Sequence, residues 1–239
     1  MSIKLSSLKK VKSAKERLGK KVNWYYSWWE SDIIVRRGIA YSPHARRLKR
    51  MDSRLLKNIF KCFLTLEKNS LKNYSFGEVK LHKLDNVKGN VGNGFFKLEV
   101  GKRKFFLKVL KNNGFSKYNL SVFHDLAISQ HRALIEAKEV IKSSKFKDFF
   151  DVVTPHFAFV SDKYSFQVVE FCDFQRVEDI LNKPKSKMAE LFFEKKSIYE
   201  SGLKFLEEKG FHDLGEHNTF FSPISGKFIV FDVRRYPVY

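Results

Sequence analysis

The spacing of apolar residues changes period several times along the chain, and each change predicts an element. From Asp52 onward Leu55, Leu56, Ile59, Phe60, Phe63, Leu64 and Leu66 recur at intervals of three and four. That spacing predicts an amphipathic helix capped by Asp52 or Ser53. The period then falls to two. "YSFGEVKLHKL" (74–84) alternates as a strand does, and "NGFFKLEV" (93–100) and "RKFFLKVL" (103–110) are separated by only Gly101 and Lys102, the pattern of a tight hairpin. Helical spacing returns at roughly 121–144, with Leu126, Leu134, Ala137 and Ile141 on one face. "FFDVVTPHFAFVS" and "SFQVVEFCDF" predict two further strands, joined through "DKY". Residues 186–209 predict another helix, closed by Gly210. A last apolar strand, "KFIVFDV" (227–233), pairs with "TFF" through the turn "SPISGK". The chain contains no internal repeat and no low-complexity tract.

At 239 residues the chain has room for one large domain or two small ones, and its 43% hydrophobic and 15% aromatic content argues against disorder. Charge changes the picture more. The net charge is +20, and residues 1–61 hold 17 Lys and Arg against 4 Asp and Glu. Such a basic end seeks a polyanion: nucleic acid, an anionic membrane surface or a phosphorylated glycan or nucleotide. Within residues 1–51, a basic and partly irregular arm, "VNWYYSWW" (22–29) sets five aromatics between lysine-rich flanks. Trp24, Trp28 and Trp29 suit docking of the arm onto the main body through buried area first, with an anchor in a headgroup region as the alternative. Cys62 and Cys172 are too few and too scattered for a disulfide framework or a zinc site, which predicts a reducing compartment. No apolar run is long enough to span a membrane, and the basic start lacks the apolar stretch of a secretory signal. The expected location is cytoplasmic, with peripheral contact at the inner membrane face through residues 1–50.

The segment "GFHDLGEHNTFF" (210–221) concentrates the candidate chemistry. It reads either as a polar surface turn or as a loop holding a proton acceptor and a metal ligand at fixed separation. Asp213 precedes Asn218 by five residues, and Asp232 stands fourteen beyond Asn218 at the end of an apolar strand. Phosphoryl transfer needs this set. One carboxylate orients the attacking hydroxyl, while an amide oxygen and a second carboxylate hold magnesium against the nucleotide phosphates.

With these residues in this order, the chain resembles the protein-kinase-like superfamily over residues 75–239. "HDLGEHN" resembles the catalytic loop, with Asp213 as proton acceptor and Asn218 as metal ligand, and "FDVR" resembles the metal-binding Asp-Phe-Gly position at Asp232. "FFLKVL" resembles the strand whose lysine grips the phosphates, which implies Lys108. "LIEAKEVI" stands where that lysine's glutamate partner belongs, which implies Glu136, with Glu139 as the second choice. "VVEFCDF" resembles the adenine-binding hinge, from Glu170 to Cys172, and "GNVGNGFF" takes the place of the glycine-rich cover loop with Gly89, Gly92 and Gly94. The resemblance implies an α+β, protein-kinase-like two-lobe fold with a truncated C-terminal lobe and a basic N-terminal extension. Its divisions are the arm at 1–51, an N-lobe at 52–173 and a short C-lobe with the catalytic loop at 174–239.

Some positions depart from the family pattern. Phe211, not histidine, stands two before Asp213. The position two after it, commonly lysine or histidine, is Gly215, and Val233-Arg234 follows Asp232 without a glycine. His217 is placed either to supply the missing positive charge or simply to stand exposed. The resemblance implies ATP and Mg2+ as cofactors and a kinase activity toward a hydroxyl. The acceptor is a sugar of an anionic glycolipid, as in the bacterial lipopolysaccharide core sugar kinases, or a protein serine or threonine. Two other readings stay open: an inactive pseudokinase serving as a scaffold, and a nucleic-acid-binding protein that uses the basic arm.

Overall fold

The computed structural model describes residues 8–11, 24–27, 34–36, 39–41, 53–84, 93–111, 120–160 and 164–235. The chain forms two compact units, one from Met1–His131 with Pro155–Phe171 and the other from Arg132–Thr154 with Cys172–Tyr239. The final passage between them falls at Phe171 and Cys172.

The first unit is built on strands. In chain order these are β1 (Leu8–Val11), β2 (Trp24–Ser27), β3 (Ile34–Arg36), β4 (Ile39–Tyr41), β5 (Asn73–Phe76), β6 (Val79–Lys83), β7 (Asn93–Val100) and β8 (Arg103–Lys111). The numbering resumes in this unit, after the helix and strand described below, with β10 (Pro155–Val160) and β11 (Tyr164–Glu170). β1 and β2 pair with each other, and the remaining eight form one sheet in the order β3-β4-β10-β11-β8-β7-β6-β5. Every pairing in that sheet is antiparallel. The arm expected to be partly irregular thus supplies two of its strands.

Helix α1 (Ser53–Asn69) covers one face of the sheet. Its buried stripe of Leu55, Leu56, Ile59, Cys62, Phe63 and Leu66 shares a core with Leu81, Phe96, Leu98, Leu107, Val109 and Phe166. The strand residues alternate, so one face is apolar and the other is left for Lys108 and Gln167. Phe63 is the centre of this core, its ring edge-on to those of Tyr164, Phe166 and Phe96 at 4.9, 5.3 and 5.7 Å. Each fully buried side chain of this size contributes roughly 1.5–3 kcal/mol. Cys62 belongs to the packing. Burial pushes its thiol up to about 11, far from the thiolate a nucleophile requires.

"YSFGEVKLHKL" is not one strand. Phe76 pairs directly with Val79, and the chain reverses at Gly77, which takes φ of 62°. Directly paired residues across a two-residue turn stand three apart and share a face, so the apolar positions shift phase by one, from Tyr74 and Phe76 before the turn to Val79 and Leu81 after it.

Helix α2 (Leu120–Lys142) leads into the second unit, whose first strand is β9 (Phe150–Val152). "FFDVVTPHFAFVS" therefore divides: β9 lies parallel to β15 (Lys227–Val230), while β10 joins the large sheet of the first unit. With β12 (Gln175–Arg176) and β14 (Thr219–Ser222), the second sheet has the order β12-β14-β15-β9. A two-stranded ladder joins β13 (Phe211–His212) to β16 (Arg234–Arg235). The helix expected over 186–209 is two helices. α3 (Val177–Leu181) comes first, then α4 (Lys187–Phe193) and α5 (Lys196–Glu208), and α4 gives way to α5 at Glu194 and Lys195. Phe150, Phe192, Tyr199, Phe221 and Phe228 form the aromatic core of this unit. Gly202 lets α5 close on it: a Cβ there would stand 2.2 Å from the Phe150 ring. The class is α+β, with a sheet-rich first unit and a second unit that carries α3, α4, α5 and the smaller sheets.

Candidate functional site

In the first unit Lys108 sits mid-strand in β8, directly opposite Gln167 of β11 and Phe95 of β7. Its side chain is buried, and its ammonium donates to Gln130 Oε1 at 3.2 Å. Gln130 and its neighbour His131 on α2 are buried too. Burial holds the His131 imidazole down to about 3, since both ring nitrogens lack a hydrogen-bond partner and charging the ring would leave an ion without solvent. His156, mostly buried, is also lowered by burial, with Glu170 acting in the opposite direction.

Gln130 is the functional candidate that the sequence reading missed. A search for an acid in the helix passes over it, because a carboxamide is neutral. The signal was in the phase. Gln130 leads the buried stripe Ala133, Leu134, Ala137 and Ile141, so it points the way the apolar residues do. Glu136 and Glu139 lie off that stripe. The Glu136 carboxylate receives Arg132 Nε at 2.6 Å and also pairs with Arg235, all within the second unit. Glu139 is exposed on the same helix.

The second unit carries the catalytic-loop candidates, and its hydrogen bonds draw them together. Asn218 Nδ2 donates to the Asp213 carbonyl at 2.6 Å, and Thr219 Oγ1 donates to the Gly215 carbonyl at 2.8 Å, so the loop folds onto itself. The Phe231 N–H donates to the Asn218 carbonyl at 2.8 Å, which puts Asp232 one residue from that link, where the β14–β15 hairpin opens. Asp213 is one of two non-glycine residues among those described with positive φ, at 62°. Such a conformation costs about 1–3 kcal/mol and persists only where the surroundings enforce it. Here they do. β13 is anchored to β16 on one side of Asp213, and Asn218 grips its carbonyl from the other.

Two potential cations face the Asp213 carboxylate. Arg234 Nε lies 3.0 Å from Oδ2, and His217 Nε2 lies 3.7 Å from Oδ1. Gly215, two residues after Asp213, offers no side chain for that purpose; Arg234 and His217 stand there instead. The Asn218 carboxamide oxygen and the Asp232 carboxylate are the hard donors that magnesium accepts, and two protein oxygens suffice when phosphates complete the shell. Among the described residues no group of three or more His, Cys, Asp and Glu side chains forms a metal cage.

A cavity of about 490 Å³ opens beside the same loop, between Leu181, Phe192, Tyr199, Leu203 and Leu214, with Glu216 and His217 also lining it. Burial pushes the Tyr199 phenol up to about 12, so that ring serves as a wall.

Of the other predicted site residues, Gly89 and Gly92 lie outside the described residues, as do Trp28 and Trp29. Gly94 lies in β7 opposite Val109, its face covered by the Phe96 ring. Glu170 ends β11, exposed, and Cys172 is half-buried beyond it.

No family model and no curated protein matches this chain. Among solved structures it is similar to the BubR1 kinase domain, at 12% identity and a TM-score of 0.44, over 76% of this chain and 59% of that one. The chain thus spans about three fifths of that domain's length. A likeness this slight leaves the functional reading to the chain's own geometry.

Proposed function

We propose that this protein is an ATP- and magnesium-dependent phosphotransferase that acts on a hydroxyl acceptor. The observation that carries the reading is the bend at Asp213: a residue of strained backbone whose main-chain carbonyl accepts from Asn218 Nδ2, with Asn218 linked in turn to the residue before Asp232. Bound magnesium-ATP supplies the transferable phosphoryl group. Asn218 and Asp232 would hold the cation, and Asp213 would orient the acceptor hydroxyl and take its proton as the new oxygen–phosphorus bond forms and the bond from the γ-phosphorus to the β-phosphate oxygen breaks, with ADP as the leaving group. Arg234 and His217 offer positive charge beside the transferring group. Lys108 would hold phosphates and the backbone from Glu170 to Cys172 the adenine, roles that rest on the family resemblance. The acceptor is a glycolipid sugar or a protein hydroxyl, and the cavity beside Leu214 has the size of a small-ligand recess.

A second reading is favoured by one contact. Arg234 lies against the Asp213 carboxylate, as it would in an inactive scaffold whose base is permanently neutralised. A phosphoryl-transfer assay with a panel of glycan and peptide acceptors separates the two. The phosphotransferase predicts that Asp213→Asn lowers turnover by about 100- to 10,000-fold and that Arg234→Gln lowers it as well. Turnover that is indifferent to Asp213→Asn, or that rises in Arg234→Gln, contradicts it.

A further inference from the structure

The second unit carries an apolar tip that its fold does not need. The turn between β14 and β15 runs Ser222-Pro223-Ile224-Ser225-Gly226-Lys227. Proline, serine and glycine meet the backbone demands of such a turn, and any polar residue would serve at position 224. The chain places an isoleucine there, 92% exposed. Of the three large apolar side chains exposed among the described residues, Phe193, at 46%, is a second. It closes α4 at this end of the unit. Its neighbour Phe192 meets the rings of Phe228 and Phe221 on the two hairpin strands at 6.0 and 6.5 Å. Two residues further on, Lys195 Nζ donates to the Gly226 carbonyl at 3.1 Å, tying the turn to the end of the helix.

Lysines surround these tips. Lys227 donates to the Lys147 carbonyl at 3.0 Å, which adds the exposed Lys147 to Lys195 and Lys227. Lys187 on α4, with Lys185 just before it, is also exposed, while Glu190, Glu194 and Asp148 are the acids interleaved with them. Exposed aliphatic and aromatic tips within a set of ammonium groups suit one environment well, the boundary between acyl chains and anionic headgroups. No described helix is long and apolar enough to cross a membrane, so contact by this face would be interfacial.

We propose that this end of the second unit docks on an anionic phospholipid bilayer, with Ile224 and Phe193 entering the interface and Lys147, Lys195 and Lys227 facing the headgroups. The docking face uses residues other than 1–50 and is independent of the phosphotransferase reading. The test is co-sedimentation of the full chain with vesicles of phosphatidylcholine alone and of phosphatidylcholine mixed with phosphatidylglycerol. The parent protein is expected to bind the mixed vesicles, and the double variant Ile224→Asp, Phe193→Ser to bind them about tenfold more weakly or less still. Its melting temperature should fall only slightly, because Ile224 is 92% exposed and Phe193 meets the core through one edge contact with the Phe192 ring at 5.7 Å. Equal binding by parent and variant overturns the proposal and leaves lipid contact to the basic arm. A parent that binds neither kind of vesicle also overturns it. So does a parent that self-associates without lipid, in sedimentation velocity, through the same two residues while vesicle binding is unaffected by their loss.

Discussion

Lys108 in the first unit and Asp213 in the second are held in opposite ways. Lys108 is a buried charge on a central strand, and a neutral carboxamide from a helix accepts one of its hydrogen bonds. Asp213 is a half-buried charge on a strained bend, faced by a guanidinium and an imidazole. The first arrangement fixes a group in one place, since a buried ammonium cannot leave its acceptors without losing solvation it has no means to recover. The second lets partners exchange. Water reaches the loop, and an incoming hydroxyl can replace a cation at modest cost. A phosphate-gripping group gains from the first property and a proton acceptor from the second.

The comparison breaks most sharply at Gln130. Replacing it with leucine removes an acceptor from a buried ammonium, a hydrogen bond worth about 1.5–3 kcal/mol. Urea unfolding of Gln130→Leu should show a loss of that order, and Gln130→Glu should retain more stability than Gln130→Leu because it keeps an acceptor in place. If Gln130→Leu unfolds at the parent's midpoint, Lys108 does not depend on that carboxamide.

A smaller effect belongs to the adjacent His131, and it appears only in acid. Its imidazole is held at about 3 in the folded chain against an ordinary 6.5. Between those values the unfolded chain binds the proton and the folded chain does not, so stability rises with pH across that window and is independent of this group above it. The slope approaches about 1.4 kcal/mol per pH unit for one such residue. Melting temperatures recorded from neutral pH down to about 5 should fall in the parent protein, and they should fall less in His131→Leu, which has no ring to protonate. Parallel curves for the two proteins would show that another group carries the acid sensitivity.

Elements whose period differed from their neighbours' were legible in the sequence. α1, the β7–β8 hairpin and α2 each stand where the spacing of apolar residues predicts them. What the sequence concealed has identifiable causes. The β5–β6 reversal shows only as a one-residue shift of the apolar phase at Gly77 and Glu78, easily passed over in so short a stretch, and the α4–α5 break at Glu194 and Lys195 occurs without proline or glycine. The division of 149–160 between two sheets leaves one mark, Pro155 as the first residue of β10, but both halves are apolar strands and only tertiary pairing assigns them to different sheets. At the loop, the residue types pointed to Asp213, Asn218 and Asp232, whereas the hydrogen bonds that join their backbones could not be read from spacing alone. Gln130 was hidden for a chemical reason: the reading looked for a charge opposite Lys108, and the fold uses a dipole.

The central claim is that the loop around Asp213 and the strand end at Asp232 hold a magnesium-bound nucleotide. It is tested most directly by thermal melting of the full chain with ATP, with magnesium and with both, alongside Asp232→Asn. The account predicts a stabilisation of about 2.7 kcal/mol when both are present at a hundredfold excess over the dissociation constant. Either ligand alone should give a much smaller shift, and Asp232→Asn should lose most of the combined effect. No shift with both ligands present, or a full shift that survives Asp232→Asn, would contradict it.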